Sequence, residues 1–130
     1  MTLTRILTAG FLAASLSATA AHAGAADYVF EPVQAQVKRG DDVVVAVRLK
    51  HKPTGRPVTD AVIFRTRIDM APDNMATMAS PIEAVPSNES GVYAFKTEIS
   101  MAGRWLLSLM AKVPGEPETV VGKVIFQAVR

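Results

Sequence analysis

The chain has 130 residues, no cysteine, 14 Lys and Arg against 12 Asp and Glu, and 49% apolar residues. That length suits one small domain with a modest core. Near charge balance, with no basic run and no interleaved aromatic stripe, points away from nucleic acid. Without cysteine there is no disulfide framework, no thiolate metal site and no cysteine nucleophile, so packing alone must hold the fold.

The first residues read as an export signal. Met1-Thr-Leu-Thr-Arg5 is a short positive start, Ile6 to Ala20 is small and apolar, and Ala21-His-Ala23 has the small-x-small form of a cleavage site. The rival reading is a retained anchor, because nothing from Ile6 to Ala26 is charged. Only five of those residues are strongly apolar, which favours cleavage after residue 23 and a periplasmic domain over 24–130.

Beyond Tyr28 the apolar residues recur with a period of two, in short runs broken by turn chemistry. Val29 to Val37 is a predicted first strand, with Pro32 suited to a sheet edge. Asp42 to Lys50 is a valine-rich second strand, followed by a turn from His51 to Pro57. Asp60 to Met70 is a third, with Val62, Phe64, Thr66, Ile68 and Met70 on one face and Arg65, Arg67 and Asp69 on the other. A methionine-rich loop follows, then a brief strand from Ile82 to Val85 and a turn through Pro86 to Gly91. Val92 to Ile99, Trp105 to Val113 and Thr119 to Val129 complete the set. About seven antiparallel strands with no helical stretch predict an all-β, immunoglobulin-like β-sandwich, without the disulfide of antibody domains.

The chemistry of the chain lies in its methionines. Met70, Met75 and Met78 fall within nine residues, and Met101 opens Met101-Ala-Gly-Arg-Trp105. A thioether is a soft ligand that suits Cu(I), and methionine is also a filler of irregular core gaps. The spacing of three between Met75 and Met78 would set both sulfurs on one side of a helical turn. Met70 and Met101, extending inward strand faces, would add a third and fourth. Other chemistry is thinly represented. His51, in a polar turn, is the sole histidine outside the leader, too few for zinc or a serine triad. Glycines stand singly at turns, so no phosphate loop is present, and Asp69 and Asp73 lack further oxygen ligands. Catalysis is not expected. Trp105 is expected to anchor the core, and Arg104 to pair with a surface acid.

Four segments in order carry a family resemblance: Gly55-Arg-Pro-Val-Thr-Asp60-Ala-Val62, the loop from Met70 to Met78, Gly91-Val-Tyr93, and Met101-Ala-Gly-Arg-Trp105. Together they resemble the exported YtkA-like/FixH-like domain family. The resemblance implies a small β-sandwich outside the cytoplasmic membrane that handles copper, assists metal efflux or helps assemble copper-containing oxidases. It assigns Met70, Met75 and Met78 to the family's methionine loop and Met101 to its later methionine. Two features depart from the family's pattern: the N-terminus looks cleavable where FixH itself is membrane-anchored, and no histidine follows His51. The expected function is therefore Cu(I) binding for copper tolerance or delivery. The other expectation is a metal-free module that docks on a membrane transporter or oxidase complex, its methionines serving as an apolar surface.

Overall fold

The computed structural model describes residues 25–130; the expected leader and its cleavage site lie outside them. Ten strands follow a short 3₁₀ turn at Ala25–Asp27: β1 (Tyr28–Pro32), β2 (Gln36–Lys38), β3 (Gly40–His51), β4 (Arg56–Pro57), β5 (Val62–Met70), β6 (Met75–Ser80), β7 (Ile82–Val85), β8 (Val92–Ile99), β9 (Gly103–Lys112) and β10 (Val120–Val129). A second 3₁₀ turn, Ala71–Asp73, links β5 to β6. One sheet runs β1-β3-β8-β7 with β4 paired to β3, and the other runs β2-β10-β9-β5-β6. The expected all-β, immunoglobulin-like sandwich is what the chain forms. Its strand count is higher than expected.

Alternation decides which side chains fill the space between the sheets. Val45, Val47 and Leu49 of β3 meet Phe95 and Ile99 of β8 on one side. Trp105, Leu107, Leu109 and Ala111 of β9, with Val120, Val124 and Phe126 of β10, come from the other. Gly122 interrupts the inward row of β10 because the Phe30 ring lies on it; a Cβ there would sit 2.2 Å from Phe30 Cδ2. Thr97 is buried among apolar neighbours with its hydroxyl donating to the Pro81 carbonyl at 2.7 Å, so that hydroxyl is not left unpaired.

Three local expectations are corrected. Val29–Val37 is not one strand. Beyond Pro32 the chain leaves the first sheet, and β2 joins the second as a parallel neighbour of β10. Val62 and Phe64 do not face the core. Pairing with β9 steps from Ile63↔Ala111 to Arg65↔Met110, so Phe64 has no partner and the alternation changes phase at this bulge. Ile63 turns inward instead, and Val62 and Phe64 are 61% and 53% exposed. The methionine-rich segment is not a loop: Met75–Ser80 is an edge strand paired to β5.

The crossing from β4 to β5 is held by Tyr93. Its hydroxyl donates to the Val58 carbonyl at 2.9 Å and accepts from the Ala61 amide at 3.0 Å. His51, at the end of β3, bonds Thr54 through Nδ1 at 2.9 Å and lies against the Tyr28 ring. It closes β3 at the opposite end of the sandwich from the methionines.

Candidate functional site

The β5–β6 connection is tight because Pro72 lies within a 3₁₀ turn and Asn74 ends it in the left-handed region, at φ 60°. Asparagine tolerates that conformation better than most residues. The turn makes Met70 and Met75 direct partners across the strands. Met70 is fully buried and Met75 is half-buried against the same core. Across the gap, β9 begins at Gly103, where a Cβ would stand 2.6 Å from Met70 Cε. The Met70 methyl therefore rests on the Gly103 backbone, two residues after Met101. Met101 is 36% exposed, and its carbonyl accepts the Trp105 indole N–H at 3.1 Å. Met70, Met75 and Met101 thus belong to one end of the sandwich.

Met78 stands apart. A helical turn would have aligned it with Met75, but an extended strand turns successive side chains to opposite faces. Three residues of separation therefore set the two apart rather than together. Met78 is 40% exposed on the sheet edge, and an irregularity in pairing separates Asp69↔Ala79 from Met70↔Met75.

Two arginine–aspartate pairs frame this end, and sequence reading missed how completely they use both acids. Asp69 accepts from Arg67 Nε at 2.7 Å and from the Ala71 amide at 2.9 Å, while Arg67 Nη2 donates to the Ala76 carbonyl at 2.9 Å. Asp73 accepts from the Arg104 amide and from Arg104 Nε, both at 2.8 Å, and Arg104 Nη2 donates to the Pro72 carbonyl at 2.6 Å. Arg104 does pair with an acid, and it thereby ties the methionine turn to the start of β9. Such forked, charge-assisted bonds fix geometry as well as add energy. Both carboxylates are engaged, and among the described residues no group of three His, Cys, Asp or Glu could hold a metal ion. Thioethers are the donors this end presents.

The Arg104 amide, and then its guanidinium, hold the Asp73 carboxyl below its ordinary value of 3.8. A lowered carboxyl pKa in the folded state stabilises at pH above the ordinary value, and that contribution is lost as pH falls through the lowered one. Asp73→Asn keeps an oxygen for the Arg104 amide but loses the charge. We expect the variant to melt below the wild type near neutral pH and the gap to close in acid as pH falls through the lowered pKa, as followed by thermal unfolding across a pH series.

A surface groove of about 390 Å³ lies elsewhere. It lies between β5 and β8, lined by Ile63, Tyr93, Phe95 and the turn from Ser87 to Ser90, and it contains no methionine.

The sandwich is similar to two solved structures. The ZirS C-terminal domain matches at 12% identity over 100% of this chain and 85% of its own, with a TM-score of 0.46. The Lin-41 filamin domain matches at 15% identity over 83% and 95%, with a TM-score of 0.47. No curated protein matches the chain. A family comparison matches residues 22–110 to the description YtkA-like, well over half of the sequence. The chain belongs to the YtkA-like family. The match takes in every methionine of interest, from Met70 to Met101, and both arginine–aspartate pairs. No helix among the described residues of this YtkA-like domain is long and apolar enough to cross a membrane.

Proposed function

We propose that this YtkA-like domain is exported to the periplasm, where it carries Cu(I) at its methionine end for copper tolerance or delivery, without catalysis. The observation that supports this reading is the pairing of Met70 with Met75 against the strand start that follows Met101. Soft thioethers gathered in a chain without thiolates match a soft monovalent ion, and exposed edges at Met75 and Met101 give the ion a way in and out. Met70 closes the buried side. Met78, on the edge strand, is the outlying member of the set. A methionine-only site binds more weakly than a thiolate one, which suits hand-over.

The test is competition with a chromophoric Cu(I) chelator, expected to show one ion per monomer. Leucine nearly conserves methionine's volume, so each swap costs less than about 1.5 kcal/mol in packing while removing the sulfur. Met75→Leu with Met101→Leu is expected to weaken Cu(I) binding by more than about tenfold, equivalent to about 1.4 kcal/mol. The metal-free melting temperature should barely move, and Met78→Leu alone should have the smaller effect. Undiminished binding in the Met75/Met101 double variant would sink the assignment.

A second reading has its own support: Met70 is fully buried, as a core filler would be. On that reading the domain is a metal-free module that docks on a membrane efflux or oxidase-assembly complex. A pure protein that takes up no Cu(I), yet binds such a complex in metal-depleted buffer, would favour it.

A further inference from the structure

The outer face of the β10-β9-β5 sheet carries the strongest feature that the methionine site leaves unexplained. Pairing of β10 with β9 is unbroken from Val120↔Ala111 to Ala128↔Gly103, so the outward side chains stand in even cross-strand rows. One row is Val121, Met110 and Arg65; the next is Lys123, Ser108 and Arg67; the third is Ile125, Leu106 and Asp69. Val62 and Phe64, displaced outward by the bulge, extend the apolar part beside Lys112. Val62, Phe64, Val121 and Ile125 are each about half exposed or more, at 61%, 53%, 58% and 49%. Isolated exposed aliphatics need no explanation, but two apolar groups on one face, parted by the Lys123-Ser108-Arg67 row, do.

Charge on this face is one-sided. Asp69 is its one acid, and it is spent on Arg67. Arg104 is taken by Asp73. Among the described residues, no acid forms an ion pair with Arg65, Lys112 or Lys123. A second copy of the same face would bring these cations against their own kind, which disfavours self-association. A folded protein partner is held chiefly by anchors seated in recesses, and the recess that Arg65 and Arg67 line lies at the sheet edge, toward Ala79 to Ile82, and includes neither Val121 nor Ile125. A bilayer surface needs no recess. It accepts apolar side chains into its boundary, and its anionic headgroups attract interspersed cations.

We propose that this face docks reversibly on an anionic phospholipid surface. Val121, Ile125, Val62 and Phe64 enter the boundary, and Arg65, Lys112 and Lys123 meet phosphate groups. The methionine end adjoins the Asp69 row of this face, at the far end of β5 and the start of β9, and Met70 there is buried in the core. The inference stands independently of copper binding.

The probe is vesicle co-sedimentation of the full chain. Vesicles of three parts phosphatidylcholine to one part phosphatidylglycerol are compared with phosphatidylcholine alone. Three proteins with the same N-terminus are measured, so any contribution of the leader cancels: wild type, Val121→Ser/Ile125→Ser, and Lys112→Gln/Lys123→Gln. Each surface cation contributes about fivefold to partitioning near an anionic membrane. The lysine variant is therefore expected to bind the mixed vesicles on the order of twentyfold more weakly at low salt, and the serine variant also more weakly. Wild-type binding should fade at about 0.5 M salt, where charges are screened within a few ångströms. The lysine variant alters only exposed side chains, and equal melting temperatures would confirm that both variants are folded. Equal vesicle binding by all three proteins would overturn the proposal, as would no binding by the wild type. So would a concentration-dependent dimer, abolished by Val121→Ser/Ile125→Ser, in a protein that ignores vesicles; that result would give the face to a second copy.

Discussion

Gly103→Ala should lower the melting temperature of this domain by at least about 10 °C, more than its single added methyl suggests. Gly103 has φ 140°, which a residue with a Cβ rarely adopts, and holding a side chain there costs about 1–3 kcal/mol. The new Cβ would also stand 2.6 Å from Met70 Cε and 2.7 Å from Asp73 Oδ2. Making room in a packed core costs a further 1–3 kcal/mol or so. The same displacement would pull Asp73 from the Arg104 amide and loosen the link between the methionine turn and β9. The two causes can be separated. Adding Met70→Leu removes the terminal methyl and relieves the Met70 contact but neither the Asp73 contact nor the backbone strain, so the double variant should recover only part of the loss. Full recovery would trace the whole loss to the Met70 contact, and no loss in Gly103→Ala would show that neither strain nor contact constrains the turn.

Trp105→Ala should cost about 3–5 kcal/mol, because the largest fully buried side chain leaves a void that strands cannot close. In urea unfolding the midpoint should fall with little change in slope. Trp105→Phe is the more instructive variant. It keeps an aromatic ring in the core but removes the indole N–H that the Met101 carbonyl accepts at 3.1 Å. Losing such a bond costs about 1–3 kcal/mol where the acceptor stays buried, and less where water reaches it. If Met101 carries copper, Trp105→Phe should weaken Cu(I) binding beyond what its stability loss explains. An unchanged affinity would mean that the indole serves packing alone.

The sandwich was legible because one face of most strands is buried, and burial imposes a period of two. Val45, Val47 and Leu49, or Trp105, Leu107, Leu109 and Ala111, could hardly be read otherwise. The rest was hidden for identifiable reasons. In Val29–Val37 the alternation continues through the point where the chain changes sheets, and Pro32 was the one local sign that pairing could not continue. At Phe64 a bulge reverses the faces of Val62 and Phe64, yet the sequence alternates through it undisturbed. Met75-Ala-Thr-Met-Ala-Ser80 contains a single β-branched residue and sits between prolines, so propensity argued against a strand; pairing with β5 at its two ends overrode it. Within the site, Met70 could be placed from alternation and Met101 from the strand that precedes it. Their nearness depended on Gly103, and a glycine's value as a contact surface is visible only when a neighbour lies on it. The Asp73–Arg104 tie spans 31 residues, and no local pattern could reveal it.

The change of sheets after Pro32 bears on how the domain answers a pull. β2 runs parallel to β10, and the Arg39 amide adds one more bond to the Val129 carbonyl at 3.0 Å. Tension between Tyr28 and Val129 would act along the strand axes, because β1, β2 and β10 all point the same way. The β1–β3 and β2–β10 ladders would then be loaded sideways, every rung sharing the force at once instead of parting in turn like a zip. A domain drawn at one end by a tether and at the other by a bound partner would therefore resist as a single unit, in keeping with a core whose first two strands join one sheet each.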